Sequence, residues 1–201
     1  MVTETKTGRT RWLRFGAVFG GTLVAAGVLL TGIAEGTLNA SFAVSGTSFK
    51  ASANEMRGYG YAQYGDIDKE LGDKKAHPVA VNAIKRAELD NFCQSVVVPA
   101  PVIGDVTMRI EAPGTKGMKA ENLLLNAESI KGNLSLKNAE IGRDASTLNK
   151  GAGKGQPGSF GLQADEVTVT SLRQTAWSTT ASTLSFDGMS LGLTMGKNEC
   201  F

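Results

Sequence analysis

Two hydrophobic rhythms run along this chain. Residues 15–34 are apolar or small and carry no charge, and as a helix they would span about 30 Å, the thickness of a bilayer's hydrocarbon core. After residue 45 the apolar positions recur instead with a period of two, as in strands with one buried face. The first rhythm predicts a transmembrane signal-anchor helix. The second predicts a mainly β domain beyond it.

The strand pattern is clearest around Phe49, Ala51 and Ala53, at Val106, Met108 and Ile110, at Val167 and Val169, and from Leu184 through Leu191, Leu193 and Met195. Residues 79–98 fit a short helix or strands, and the Val79/Val81 pair and the valines at 96–98 favour strands. Residues 66–78 are charged, poor in apolar side chains and close on His77-Pro78, which predicts an exposed loop. The Gly-rich residues 150–161 predict a flexible loop between two lobes. An Ala, acid-or-amide, apolar motif recurs at irregular spacing, for example at Ala127-Glu128-Ser129-Ile130 and Ala139-Glu140-Ile141. Short strands repeating a corner motif predict layered β-structure, solenoid-like or an elongated folded-over sheet, with a β-sandwich as the alternative.

Charge assigns the sides of the membrane. Lys6, Arg9, Arg11 and Arg14 precede the apolar run, and basic residues stay cytoplasmic. The expected order is a cytoplasmic tail over 1–14, an anchor over 15–34, a juxtamembrane linker over 35–48 and an extracytoplasmic domain over 49–201, giving a single-pass protein of the cell membrane. The competing expectation is a cleaved signal peptide and a secreted protein, with small-residue sites after Ala34, Ala40 and Ala43; the length of the apolar run favours the anchor. Ala17, Gly21 and Ala25 form a small-xxx-small row that would let a second membrane helix, or a second copy, pack closely.

Of the 21 Lys and Arg and 19 Asp and Glu, the tail holds four basic residues and Glu4, leaving 17 against 18 in the remainder. That near-neutral balance offers no basic face for nucleic acid. The two cysteines, Cys93 and Cys200, fall on the predicted outer side, where disulfides persist, and a bridge between them is expected.

Catalytic signatures are weak. Gly188-Met189-Ser190-Leu191-Gly192 matches the G-x-S-x-G nucleophile elbow, but an elbow needs a strand, a turn and a helix, with its histidine later in the chain. Here the segment alternates like a strand, and the only histidine, His77, lies far upstream, where it reads as a solvated loop residue. Gly153-Lys154 is followed by Gly155, not by the Ser or Thr of a phosphate-binding loop. No convergent metal ligands or cofactor motif are evident, so no catalytic, metal or cofactor residue is assigned.

Several blocks are nevertheless distinctive: ASFAVSG at 40–46, HPVAV at 77–81, FCQSVV at 92–97, IGRDASTL at 141–148, SFGLQADEVTVTSLRQTAW at 159–177 and ECF at 199–201. Together they resemble an uncharacterised family of membrane-anchored, exported actinobacterial proteins of the streptomycete type, sometimes labelled cholesterol esterases. The resemblance implies an actinobacterial origin and an envelope location, and it supplies no catalytic residues.

The functional expectation is therefore a non-enzymatic, membrane-anchored envelope protein whose β-rich domain binds a lipid or other apolar ligand, since an open or folded-over sheet offers an apolar groove. The alternative is a structural or assembly partner of another envelope membrane protein. A lipid esterase is a distant third.

Overall fold

Long strands seek partners along their whole length, and here the four longest find them in one another. The computed structural model describes residues 43–44, 46–70, 75–102 and 104–201. In chain order the strands are β1 (Ala43–Val44), β2 (Phe49–Glu70), β3 (Ala76–Asp90), β4 (Phe92–Ala100), β5 (Gly104–Ala112), β6 (Met118–Lys137), β7 (Glu140–Asp144), β8 (Phe160–Thr180), β9 (Thr183–Phe186) and β10 (Ser190–Met195). A single 3-10 turn, Ala145–Thr147, is the helical element among them. The predicted span over 15–34, with Ala17, Gly21 and Ala25, lies outside the described residues. Within these residues no helix is long and apolar enough to cross a membrane.

β2 pairs β3, β3 pairs β6, β6 pairs β8, and β8 returns to β2, so the sheet closes on itself. β2, β6 and β8 each change partner along their length. Residues 49–53 of β2 lie between β4 and β8, whereas residues 55–69 pair with β3. From the first segment of β2 a three-strand wing, β4–β5–β10, extends outward. All of these pairings are antiparallel; the short β1 beside the far end of β2 is parallel.

The mainly β expectation holds, and residues 79–98 are strands. The solenoid does not hold: successive coils of a solenoid stack in a repeating neighbour order, whereas here the ring closes through β2 and β8, more than a hundred residues apart in sequence. The recurring Ala-acid-apolar motif marks inward and outward positions of single strands, not equivalent corners.

Two further expectations are corrected. Residues 66–70 and 76–78 are not loop but the two arms of a hairpin, in register Asp66↔Val79 through Lys69↔Ala76. Its charges mislead because Asp66 and Lys69 point to solvent, while Asp68 is buried and accepts hydrogen bonds from Asn126 Nδ2 at 2.9 and 3.0 Å. His77 accordingly sits on β3, opposite Asp68, and its ring stacks on Trp177 with centroids 3.7 Å apart. The Gly-rich stretch is not a spacer between lobes. It lies against the outer face of β2 and β3, over Ala62, Tyr64, Val79, Val81 and Ala83, together with Ala145 and Leu148.

Bends are needed for closure, and bulges supply them. In β6 the single residue Gly132 faces both Ser171 and Leu172 of β8, between the pairs Lys131↔Arg173 and Asn133↔Thr170. Gly132 has φ 151°, and a Cβ there would come within 2.7 Å of Val169 Cγ1, so only glycine fits. The extra residue in β8 shifts its parity. Val167 and Val169 face inward before the bulge, and Leu172, Gln174 and Ala176 face inward after it.

Cys93 and Cys200 form the expected disulfide, with Cα atoms 5.9 Å apart. Residues 196–201 cross the outer face of the wing and of the ring. Thr107 Oγ1 donates to Gly196 O at 2.6 Å, Cys200 N donates to Ser95 Oγ at 3.0 Å, and Lys50 pairs with Glu199 at 2.9 Å. The Thr107 and Ser95 hydroxyls are buried beneath this strap and satisfied by it.

Candidate functional site

Closing four bent strands around bulky side chains leaves space inside. A cavity of about 330 Å³ occupies the ring, within the range of small-molecule sites. Met56, Ile84, Leu123, Leu125, Val167 and Leu172 form much of its wall, all of them buried. Ile130 and Leu134 of β6 also line it yet are 38 and 59 % exposed, so the apolar surface continues outward at that side.

The polar groups on the wall are few and uncharged. Tyr61 and Gln63 lie in the inward register of β2, facing Ile84 and Asn82 of β3. Asn82 Oδ1 accepts from Tyr61 Oη at 2.8 Å and from Gln63 Nε2 at 3.0 Å, and Asn82 Nδ2 donates to Ala80 O. Burial pushes the Tyr61 phenol well above its ordinary value, so it remains a neutral donor. Gln94, Gln174 and Thr179 complete the polar lining.

The inward face continues onto the wing. Strand register sets Gln94 beside Ile110, Val96 beside Met108 and Val98 beside Val106, and β10 adds Leu191, Leu193 and Met195 opposite the same three β5 residues. These last three are 56, 69 and 72 % exposed, which makes an apolar sheet face open to solvent.

Ser190 and His77, weighed for a hydrolase and not assigned, lie on different strands, β10 and β3. Ser190 opens strand β10, followed by more strand and, among the described residues, no helix, so the elbow geometry is missing. A different serine, Ser178, meets a carboxylate directly, its Oγ 3.4 Å from Asp68 Oδ2. Among the described residues no group of three His, Cys, Asp or Glu side chains is placed to hold a metal. Sequence reasoning missed the cavity amides. Their signal was an amide interrupting an apolar parity, as in Tyr61-x-Gln63, Phe92-x-Gln94-x-Val96 and Leu172-x-Gln174-x-Ala176.

No curated protein and no solved structure matches the chain. A family model does, over residues 45–201, which takes in the ring, the wing and the strap. The chain belongs to that family, described as a family of unknown function, DUF6230.

Proposed function

We propose that this domain is a non-enzymatic carrier or receptor that holds a lipid-class apolar ligand inside the ring, next to the membrane to which the predicted anchor would tie it. The observation that carries this reading is the apolar cavity itself. Left to water, this apolar wall forgoes the burial that an occupant would supply. Each methylene moved from water into the cavity contributes about 0.8 kcal/mol. The exposed Ile130 and Leu134 offer an apolar route in for a chain that never has to become fully hydrated.

The test is extraction and lipid analysis of the full chain purified in mild detergent. One tightly held lipid per chain is expected, and chains that consistently emerge empty would sink the proposal.

A second reading, an assembly partner, is favoured by the open face of Leu191, Leu193 and Met195. It expects Leu193→Lys to shift the sedimenting species of the detergent-solubilised full chain to a smaller assembly. An unchanged profile counts against it.

A further inference from the structure

We propose that the occupant is a single-chain amphiphile with an uncharged polar group, such as a hydroxyl, ester or amide, and that this group is bound between the side-chain amides of Gln94 and Gln174; the inference rests on the cavity being a ligand site. Register places the two glutamines in one row. Ala51 of β2 pairs with Gln94 of β4 on one side and with Gln174 of β8 on the other. Directly paired residues project from the same face, so both amides rise on the cavity side, about 10 Å apart at the backbone, with only the alanine methyl between them.

Neither amide makes a hydrogen bond to another described residue, although Gln174 is only 7 % exposed. Both amides therefore face the cavity with donors and acceptors unused, and a ligand group that bridges the pair makes the hydrogen bonds that the protein leaves unmade. The other amides on the wall are already occupied with one another, through Tyr61, Gln63 and Asn82. That leaves Gln94 and Gln174 as the place where a ligand is read.

The lining also defines what is rejected. Among the described residues, no Lys, Arg, His, Asp or Glu lines the cavity wall. The nearest cations in sequence, Lys50 and Arg173, alternate to the outer face, where Lys50 pairs with Glu199 and both lie over the Phe201 ring. A carboxylate or phosphate brought to the amides would be buried with no counter-charge, and burying an unpaired charge is far costlier than burying a hydroxyl.

Equilibrium dialysis of the full chain in amphipol with radiolabelled dodecanol, dodecanoate and dodecane, well above the carboxylate titration range, tests this. Dodecanol is expected to bind at least about tenfold tighter than dodecanoate, a difference of about 1.4 kcal/mol. The Gln94→Leu, Gln174→Leu double variant should lose the advantage of dodecanol over dodecane while still binding dodecane. Dodecanoate binding as tightly as dodecanol, or a double variant that keeps the advantage, overturns the head-group assignment and leaves the cavity reading standing. Failure of all three probes, dodecane included, overturns both. Should the double variant not fold, the alcohol-to-acid ratio of the unaltered chain decides alone.

Discussion

β2 and β3 carry two apolar faces, and the chain treats them in opposite ways. The outer face is filled by the protein's own backbone. Gly151 lies so close that a Cβ would meet Ala62 Cβ at 2.5 Å and Ala83 O at 2.6 Å, and a Cβ at Gly155 would meet the Tyr64 ring at 2.8 Å. On the inner face of the same two strands, Met56, Tyr61, Ile84 and Leu89 border about 330 Å³ of space. A sequence that packs one face to less than a methyl group has no general difficulty filling volume. The inner space is therefore a feature to be explained, and the proposed occupancy by a ligand would explain it.

That contrast is broken most directly on the filled side. Gly151→Val forces a side chain into backbone atoms and is expected to destabilise the domain by roughly 3 kcal/mol, the upper range for overpacking, read as a lower urea midpoint. An unchanged midpoint would mean that the loop is not packed as described. An enlargement on the open side sharpens the contrast. Leu125→Phe adds volume where the cavity can take it, so stability should stay within about 1 kcal/mol of the parent, while lipid carried through purification falls. A loss as large as that of Gly151→Val would show the inner wall to be as full as the outer.

The smallest effect concerns the charges that tether the covering loop. Lys150 bridges Asp165 at 2.9 Å and Glu140 at 3.2 Å. The hydrogen bond from Lys150, followed by that from Asn138, holds the Asp165 carboxyl below its usual range, and the bond from Gln163, followed by Lys150, does the same for Glu140. Groups with depressed folded values contribute stability above their unfolded values and lose it as the pH falls through the folded ones. The protection factors of the amides in residues 148–155, referred to the intrinsic exchange rate at each pH, are thus expected to fall as acid protonates these carboxylates, before those of the ring amides. A uniform fall in protection throughout the domain would count against a separately tethered cover.

How much of this was legible depended on whether the signal was local. Alternation in residues 104–112 and 164–169 announced strands, and two cysteines expected to share one compartment announced their bridge. The hairpin at 66–78 was hidden because charge density resembles loop composition, and nothing nearby reveals that Asp68 would find Asn126 on another strand. The glycines at 151, 153 and 155 signal freedom in isolation, and only the facing Ala62, Ala83 and Tyr64 show that they serve closeness instead. For Gln174 the parity with Leu172 and Ala176 was visible, but the face it takes was not, for a third reason. Its direction depends on the bulge opposite Gly132, without which its parity would follow Val167 and Val169 and turn it outward.

Ring closure also sets a schedule for synthesis. The edge of β2 at Phe49–Ala53 bonds to β8 residues 172–176, so about 120 residues must be made after that edge before its partner exists. At translation rates of roughly 5–20 residues per second, the nascent chain spends on the order of ten seconds with that strand edge unpaired. A chain in that state is a template for wrong pairing, and its yield in a cell should depend on what shields the early strand until the late one arrives.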